Sequence, residues 1–549
     1  MKTLSPLRVA CMVCVFCAAT AMLSLAQDTL TTLVSFDMVN GSEPYMVLAQ
    51  GAEGDFYGTT YVGGVNNGGT VFKMTSAGTL TKLHDFCSQT NCADGETPIG
   101  ALVQGANGDF YGTTQGGGTH RWGTVFKITP TGNLTVLYSF CARQNCSDGA
   151  YPFGGLVQGR NGNFYGTTYE GGLGGGTVFE ITPAGKLTTL HSFDGTDGYE
   201  PFGALVLATN GNFYGETSSG GTGDGTIFEI TPGGYLTTLF SFDGTNGSKP
   251  QGGLIQAASG LFYGMTGVGG SNNGGTIFEI TTAGKLTTLY NFCSLPGCAD
   301  GVYPYGPLVQ GTDGNFYGTT SDFDISNGTI FEITPGSVLT TLYTFCSLPD
   351  CTDGATPIAG LLQATNGMFY GTTSLGGSGL FGTVFSLSTG LGPFVKTQPT
   401  FADEGATIGI FGQGFHSSSV VQFGGVQATS VKFFGAPFLE ARVPAGALTG
   451  SVTVTTNGTT LTSNQQFRVS PQVLSFSPPS GPVGTQVTIN GVGFTQTTGV
   501  GFGDHVPAQF TVNSDTQITA TVPSGAKTGP IGVVTKGGTG ISSKTFTVN

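Results

Sequence analysis

Side chains able to do chemistry are scarce in this chain. Of 549 residues, 18 are Lys or Arg, 32 are Asp or Glu and five are His. No Gly-x-Ser-x-Gly, His-Glu-x-x-His, P-loop or EF-hand pattern occurs. The unusual polar and aromatic residues fall instead in Gly-rich segments between recurring motifs: Tyr61, then His120-Arg121-Trp122, Tyr169-Glu170, Asp322, Phe323 and Asp324, and Leu380-Phe381. Aromatic rings beside polar groups suit recognition of sugars or peptides; ordinary loop decoration is the plainer reading. Asp322, Asp324, Glu170 and His120 are the candidates for the carboxylate pair or His–carboxylate set that a glycosidase or lyase needs. A second series, Asp/Asn-Gly-x-x-Pro, recurs at Asn40, Asp94, Asp148, Asp197, Asn246, Asp300 and Asp353. Such a ring of groups could hold Ca²⁺. That Asn alternates with Asp favours an Asx-type turn that re-aims the chain, so no metal and no cofactor is expected.

Cysteine adds a third kind of chemistry. Cys11, Cys14 and Cys17 lie near the start, and the other eight form Cys-x4-Cys pairs: Cys87/Cys92, Cys141/Cys146, Cys293/Cys298 and Cys346/Cys351. Zinc would need pairs converging on one site, usually at Cys-x2-Cys spacing. Local pairs of even count in an exported chain read as four disulfides.

These residues sit on a repeat. Phe-Tyr-Gly places its Tyr at 57, 111, 165, 214, 263, 317 and 370, and Gly-Thr-Val/Ile-Phe and Leu-Thr-x-Leu-x-x-Phe recur in step with it. Gly is 95 of 549 residues and only 9% are charged, which excludes a long helical protein, while 11% aromatics argue against disorder. Each unit of about 50 residues reads as four antiparallel strands, A to D. In the second unit A is about Gly100–Gln104, B is Phe110–Thr114, C is Gly123–Thr129 and D is Leu134–Phe140. The Asn-Gly or Asp-Gly between A and B predicts a two-residue hairpin with both central residues at positive φ. His84 and His191 occupy the D-strand position of Tyr138, Phe240, Tyr290 and Tyr343, and read as packing residues.

The third phrase first appears at Leu30–Phe36, before any A strand, and the last unit stops after its C strand near Ser388. Pairing the two would close a ring and hide both edges. The expected fold is all-β: a seven-bladed β-propeller closed by an N-terminal strand over 27–390, followed by two Ig-like β-sandwiches over 391–469 and 470–549. In such blades the D–A and B–C loops share one end. Those loops are the longer and more variable ones, so function is expected there.

Lys2 and Arg8, the apolar stretch Val9 to Leu25 and Ser24-Leu25-Ala26 read as a secretory signal peptide over 1–26. Its removal would leave a formal charge of −16, against −14 for the whole chain. Such a surface repels phosphate backbones, so nucleic acid is not an expected partner. No later segment is long and apolar enough to span a bilayer.

The repeated phrase, for instance Asn161-Gly162-Asn163-Phe164-Tyr165-Gly166-Thr167-Thr168 followed by Gly176-Thr177-Val178-Phe179-Glu180-Ile181-Thr182-Pro183, resembles the GloVer repeat of bacterial choice-of-anchor exported proteins over about 29–390. The tail, with Pro479-Ser480-Gly481-Pro482-Val483-Gly484-Thr485 and Gly491-Val492-Gly493-Phe494, resembles two IPT/TIG domains. The first resemblance implies an exported surface protein of unassigned activity, the second spacer and adhesive modules. The chain departs from the first pattern by ending at Phe546-Thr547-Val548-Asn549 without a hydrophobic tail and basic stop.

The expected function is therefore a secreted or cell-surface, non-catalytic binding or adhesion protein. Its partner would be an extracellular polysaccharide or surface protein, met by Trp122, Arg121, His120, Tyr61, Tyr169, Glu170, Asp322 and Asp324. A polysaccharide lyase or glycosidase on the same scaffold, and a structural surface-layer component, are the alternatives.

Overall fold

The first ordered strand, Thr29–Ser35, opens the part of the chain that the computed structural model describes: residues 29–322, 327–503 and 506–549. The expected leader at 1–26 lies outside the described residues, as do Phe323 and Asp324. The chain is all-β, and its repeats form four-stranded antiparallel sheets. In the second repeat A is Val103–Gln104, B is Phe110–Thr114, C is Thr124–Ile128 and D is Leu134–Ser139, hydrogen-bonded in that order. Strand A is thus shorter than its sequence suggests, because the residues before it leave the ladder.

Burial explains the composition of each strand. Every residue of strand B is buried, as its Phe-Tyr-Gly-Thr-Thr sequence sits between two neighbouring sheets. Its Gly is demanded by packing: a Cβ on Gly112 would lie 2.7 Å from the Phe126 ring of strand C. Strand D, the outer one, is half-exposed and carries Thr on its open side. Strands B and C are pinned by a Thr pair at their loop end, such as Thr114 Oγ1 to Thr124 Oγ1 at 2.8 Å.

Neighbouring sheets are joined by ring stacking. The strand-B Tyr of one repeat lies on the strand-B Phe of the next: Tyr57 on Phe110 at 4.0 Å, Tyr111 on Phe164 at 4.0 Å, and so on to Tyr317 on Phe369 at 4.2 Å. Tyr370 then lies 4.1 Å from Phe56, so the succession returns to its first member. As the offset of the repeat predicts, Thr29–Ser35 pairs antiparallel with Thr383–Ser388, with Thr29 opposite Ser388 and Ser35 opposite Thr383. Val34 and Phe36 are buried there in one cluster with Phe72 and Val384.

The A–B turns differ from expectation. Only the glycine has positive φ (Gly108 at 85°, Gly162 at 80°), and Asn107 and Asn161 do not. Gly105 N–H donates to Asp109 O and Gly108 N–H to Gly105 O. This is a type I turn closed by a left-handed glycine, a longer loop than the two-residue hairpin. It tolerates Glu53 and Ser259 before the glycine, where a two-residue turn needs Asn or Asp.

The tail holds two further cores. One is built from sheets ordered around Thr407–Phe411 and Val420–Phe423, and the other around Gln486–Val492 and Gly529–Thr535.

Candidate functional site

The Asp/Asn-Gly-x-x-Pro segment builds the loop end of the repeats. Its Asp is consumed by structure. Asp94 is fully buried and accepts from the Ser88 and Gln89 N–H groups, at 3.1 Å each, and from the Ser88 hydroxyl at 2.7 Å. Burial alone would raise its carboxyl pKa, but these donors hold it below the usual range, and Asp300 behaves alike. The D strand supplies one more partner: His84 Nε2 to Asp94 at 3.1 Å, Tyr138 to Asp148 at 2.7 Å, His191 Nε2 to Asp197 at 2.6 Å, Tyr290 to Asp300 at 2.9 Å and Tyr343 to Asp353 at 2.8 Å. Where the loop residue is Asn, at 40 and 246, the D-strand position holds Val34 and Phe240 instead. The two histidines are therefore loop anchors as well as packing residues, each edge-on to a Phe. The carboxylates, as at Asp94 and Asp300, are spent on the preceding loop, accepting from N–H groups five and six residues upstream, which is not the Asx turn expected from the sequence.

Four disulfides close the neighbouring bends: Cys87–Cys92, Cys141–Cys146, Cys293–Cys298 and Cys346–Cys351. Glu96 stands close to the first, but both sulfurs there are bonded to each other.

The residue before each Pro takes an unusual backbone. Glu43, Thr97, Tyr151, Glu200, Lys249, Tyr303 and Thr356 all have φ between 53° and 58°. None is Gly or Asn, so each repeat stores strain at the same place. A cross-repeat hydrogen bond fixes it: Tyr151 N–H donates to Trp122 O at 2.9 Å, and Thr97, Glu200 and Tyr303 do likewise to the preceding repeat. The reversal turns the residue after Pro inward. Tyr45, Ile99, Phe153, Phe202, Gln251, Tyr305 and Ile358, one from each repeat, converge on a cavity of about 270 Å³. Its floor is Gly and Ala, including Gly154, Gly203, Gly252 and Ala359.

The lining is aromatic in four of the seven repeats, through Tyr45, Phe153, Phe202 and Tyr305. Phe153 and Phe202 stack at 4.8 Å, and Tyr169 lies 4.9 Å from Phe153. Tyr61 lies 5.1 Å from Tyr45, whose hydroxyl donates to Glu43 at 2.5 Å. Burial pushes the phenols up, Tyr169 to about 12 with help from its bond to Glu200, so they stay neutral. Behind the wall, Glu216 takes the place of the Thr found in most repeats. It accepts from Gly253 N–H at 3.0 Å while its other oxygen has no partner, and burial pushes its carboxyl up to about 8. The cavity is thus an uncharged, ring-lined cup, suited to the apolar face of a sugar or a similar flat ligand.

The residues singled out from sequence scatter around this cup. Tyr61 and Tyr169 reach its rim through the contacts above. Trp122 is half-buried against Tyr151 at 4.9 Å and joins the core between two repeats. Arg121 donates to Asn91 at 3.2 Å, outside the cup, and His120 is exposed beside Thr119. Glu170 is exposed, its backbone paired with Ala150. Asp322 is 1% exposed and follows Ser321, whose hydroxyl donates to Pro357 O. Sequence reasoning missed the post-proline ring. Its signal was there: one position, adjacent to a repeated Pro, that is large and apolar in six repeats.

The family described as Gloeobacter/Verrucomicrobia repeat matches residues 20–175, 142–322 and 293–409. An IPT/TIG domain matches 471–548. No curated protein matches the chain. Among solved structures, a gluconolactonase from Xanthomonas campestris is 14% identical, covering 66% of this chain and 90% of its own, at a TM-score of 0.35. A fungal alcohol oxidase in complex with copper is 13% identical, covering 95% and 99%, at 0.41. A surface glycan-binding protein from Prevotella bryantii is 21% identical, covering 28% and 38%, at 0.21. All three scores fall below 0.5, so these likenesses assign neither ligand nor activity.

Proposed function

The chain belongs to the Gloeobacter/Verrucomicrobia repeat family, and from that premise we propose that it is an extracellular, non-catalytic binding protein whose repeats, 27–390, close into a seven-bladed β-propeller. The return of the stacking succession from Tyr370 to Phe56 and the pairing of Thr29–Ser35 with Thr383–Ser388 support the closed ring. Local disulfides fit an oxidising compartment. The segments 391–469 and 470–549 act as spacer or docking modules.

The observation that carries the reading is the cup itself: seven repeats hold one strained backbone conformation and thereby aim seven side chains, of four types, at one axis. Its ligand is a neutral ring-bearing molecule, foremost the end or a loop of a neutral extracellular polysaccharide. Tyr61 and Tyr169 extend the platform, with Trp122, Arg121, His120 and Glu170 on the outer loops.

A screen of neutral and acidic polysaccharides against the purified protein tests this. A neutral glycan should bind, and Phe153→Ala or Tyr305→Ala should weaken it by about 1–3 kcal/mol, as loss of an aromatic anchor does. Unchanged binding in both variants sinks the cup as the site. Release of shortened product would move the protein to the lyase or glycosidase class.

A further inference from the structure

At the other end of the sheets the A–B turns meet the tail. Phe394 N–H donates to Thr365 O at 3.0 Å, and Gln413 Nε2 to Thr365 Oγ1 at 3.2 Å. Between the turns and the tail lies a second cavity, of about 400 Å³. On the repeat side its glutamines are occupied: Gln256 accepts from Thr209 N–H, and Gln310 from Ala258 N–H. The tail side brings Lys396, Arg468 and Lys536 together with Asn464 and Gln466, and the lining holds no Asp or Glu.

That is an odd place for three cations in a chain with 32 acidic and 18 basic residues. Arg468 is 8% exposed, and its buried Nη1 has no hydrogen-bond partner. Its guanidinium stands over the Phe401 ring at 5.9 Å, while Arg160 stands over the same ring at 5.4 Å. Burial and the neighbouring Arg160 push Arg468 down to about 10, and burial lowers the Lys396 ammonium. Asp403 favours the charge of Arg160, but its carboxylate is also held by Gln472. A buried guanidinium with an idle N–H, set among further cations, is costly unless something completes it. A mere fastener between turns and tail would use a carboxylate. Among the described residues no carboxylate lines the cavity, and its open volume lies against Lys396, Arg468 and Lys536.

We propose that this cavity binds a small organic oxyanion, a carboxylate- or phosphate-bearing ligand of one or two sugar units, with Arg468 gripping the oxyanion and Lys396 and Lys536 flanking it. The planar guanidinium fork matches either oxyanion. Asn464 and Gln466 offer amides for the rest of the ligand. The site is separate from the aromatic cup and does not depend on the reading of that cup.

Calorimetry on the intact protein at low salt tests it with glucuronate and inorganic phosphate as probes and glucose as the neutral control. Heat with glucuronate alone assigns a carboxylate ligand; heat with phosphate as well assigns a general oxyanion site. In both cases glucose should give none, and added salt should weaken binding. Lys536 is exposed at the rim, so Lys536→Gln should fold normally and weaken binding about threefold, while Arg468→Lys, keeping charge but losing the fork, should weaken it about tenfold. Phe153→Ala in the cup should leave it unchanged. No heat with either anion, equal heat with glucose, or undiminished binding in Lys536→Gln would overturn the proposal.

Discussion

At the loop end of the sheets every repeat contributes the same backbone and one of four side chains, Tyr, Ile, Phe or Gln. At the C–D turns of the opposite end, the repeats share the backbone and carry small tip residues, such as Ser76-Ala77, Pro130-Thr131 and Pro232-Gly233. Thr75, Thr129, Thr182, Thr231 and Thr281 each open a C–D turn closed by a left-handed glycine, and the Thr N–H and the glycine N–H are satisfied within the turn. In the sixth repeat Ser337, at φ 66°, takes the place of that glycine with the same hydrogen bonds. The loop end instead keeps a φ near 55° before every Pro while changing the residue after it from Tyr45 to Ile99, Phe153 or Gln251. A constant frame with varied, large tips is what a recognition surface requires; a constant frame with small tips is scaffold. The asymmetry of the turn end comes from outside the repeats, from the tail's cations.

The two ends share one set of sheets, and the harshest test removes a strand common to both. Deleting residues 29–36 takes Val34 and Phe36 out of the shared first-and-last cluster and bares the edge of Thr383–Ser388. The loss should be about 5 kcal/mol, read as a large fall in melting temperature. A variant melting like the parent would mean that each sheet stands alone.

A smaller effect separates the ends. Glu216, behind the cup wall, keeps its proton in the fold up to about pH 8, whereas the unfolded chain releases it in the ordinary carboxyl range. Stability should therefore fall as pH rises from about 4.5 to 8, by at most about 1.4 kcal/mol per unit, and level off above. Glu404 in the tail, raised to about 7 by burial and by its bond to Asp515, adds to the same slope. Glu216→Gln should flatten the slope, leaving the part due to Glu404, and raise the melting temperature at pH 8 but not at pH 4. Parallel curves for parent and variant would clear Glu216.

The smallest effect is confined to the loop end. Replacing Cys141 and Cys146 by Ser should cost about 2 kcal/mol, the constraint that a short closed loop puts on the unfolded chain. Amide exchange should quicken over residues 141–149 and stay unchanged at the Thr129–Gly132 turn. Faster exchange at both ends would erase the distinction between them.

How much of this was legible beforehand follows from what each feature depends on. The repeat, the strand order, the disulfide pairs and the borrowed first strand are matters of spacing, and spacing is visible in the letters. The partnership of Asp148 with Tyr138, against Asn246 with Phe240, was also visible and went unread, because each column was judged separately. The cup was hidden for a different reason. Its geometry hangs on a left-handed conformation at Glu43, Thr97 or Tyr151, residue types that do not advertise it, and only that reversal aims the next side chain inward. Trp122 stood out by rarity, yet its neighbours made it half a core residue. The cationic cavity assembles from positions as far apart as Gln256 and Lys536, beyond the reach of any local pattern.

The borrowed strand also puts a clock on the molecule. Thr29–Ser35 leaves the ribosome about 350 residues before its partner Thr383–Ser388, so at roughly 5–20 residues per second it waits some 20 to 70 seconds. Until then it is an orphan with Val34 and Phe36 uncovered, and the last sheet, once made, offers a vacant edge to whichever first strand arrives. In a crowded refolding mixture that strand can come from another copy, and the product is a pair of molecules that have exchanged their first strands. Dilution and slow mixing should favour the self-closed form.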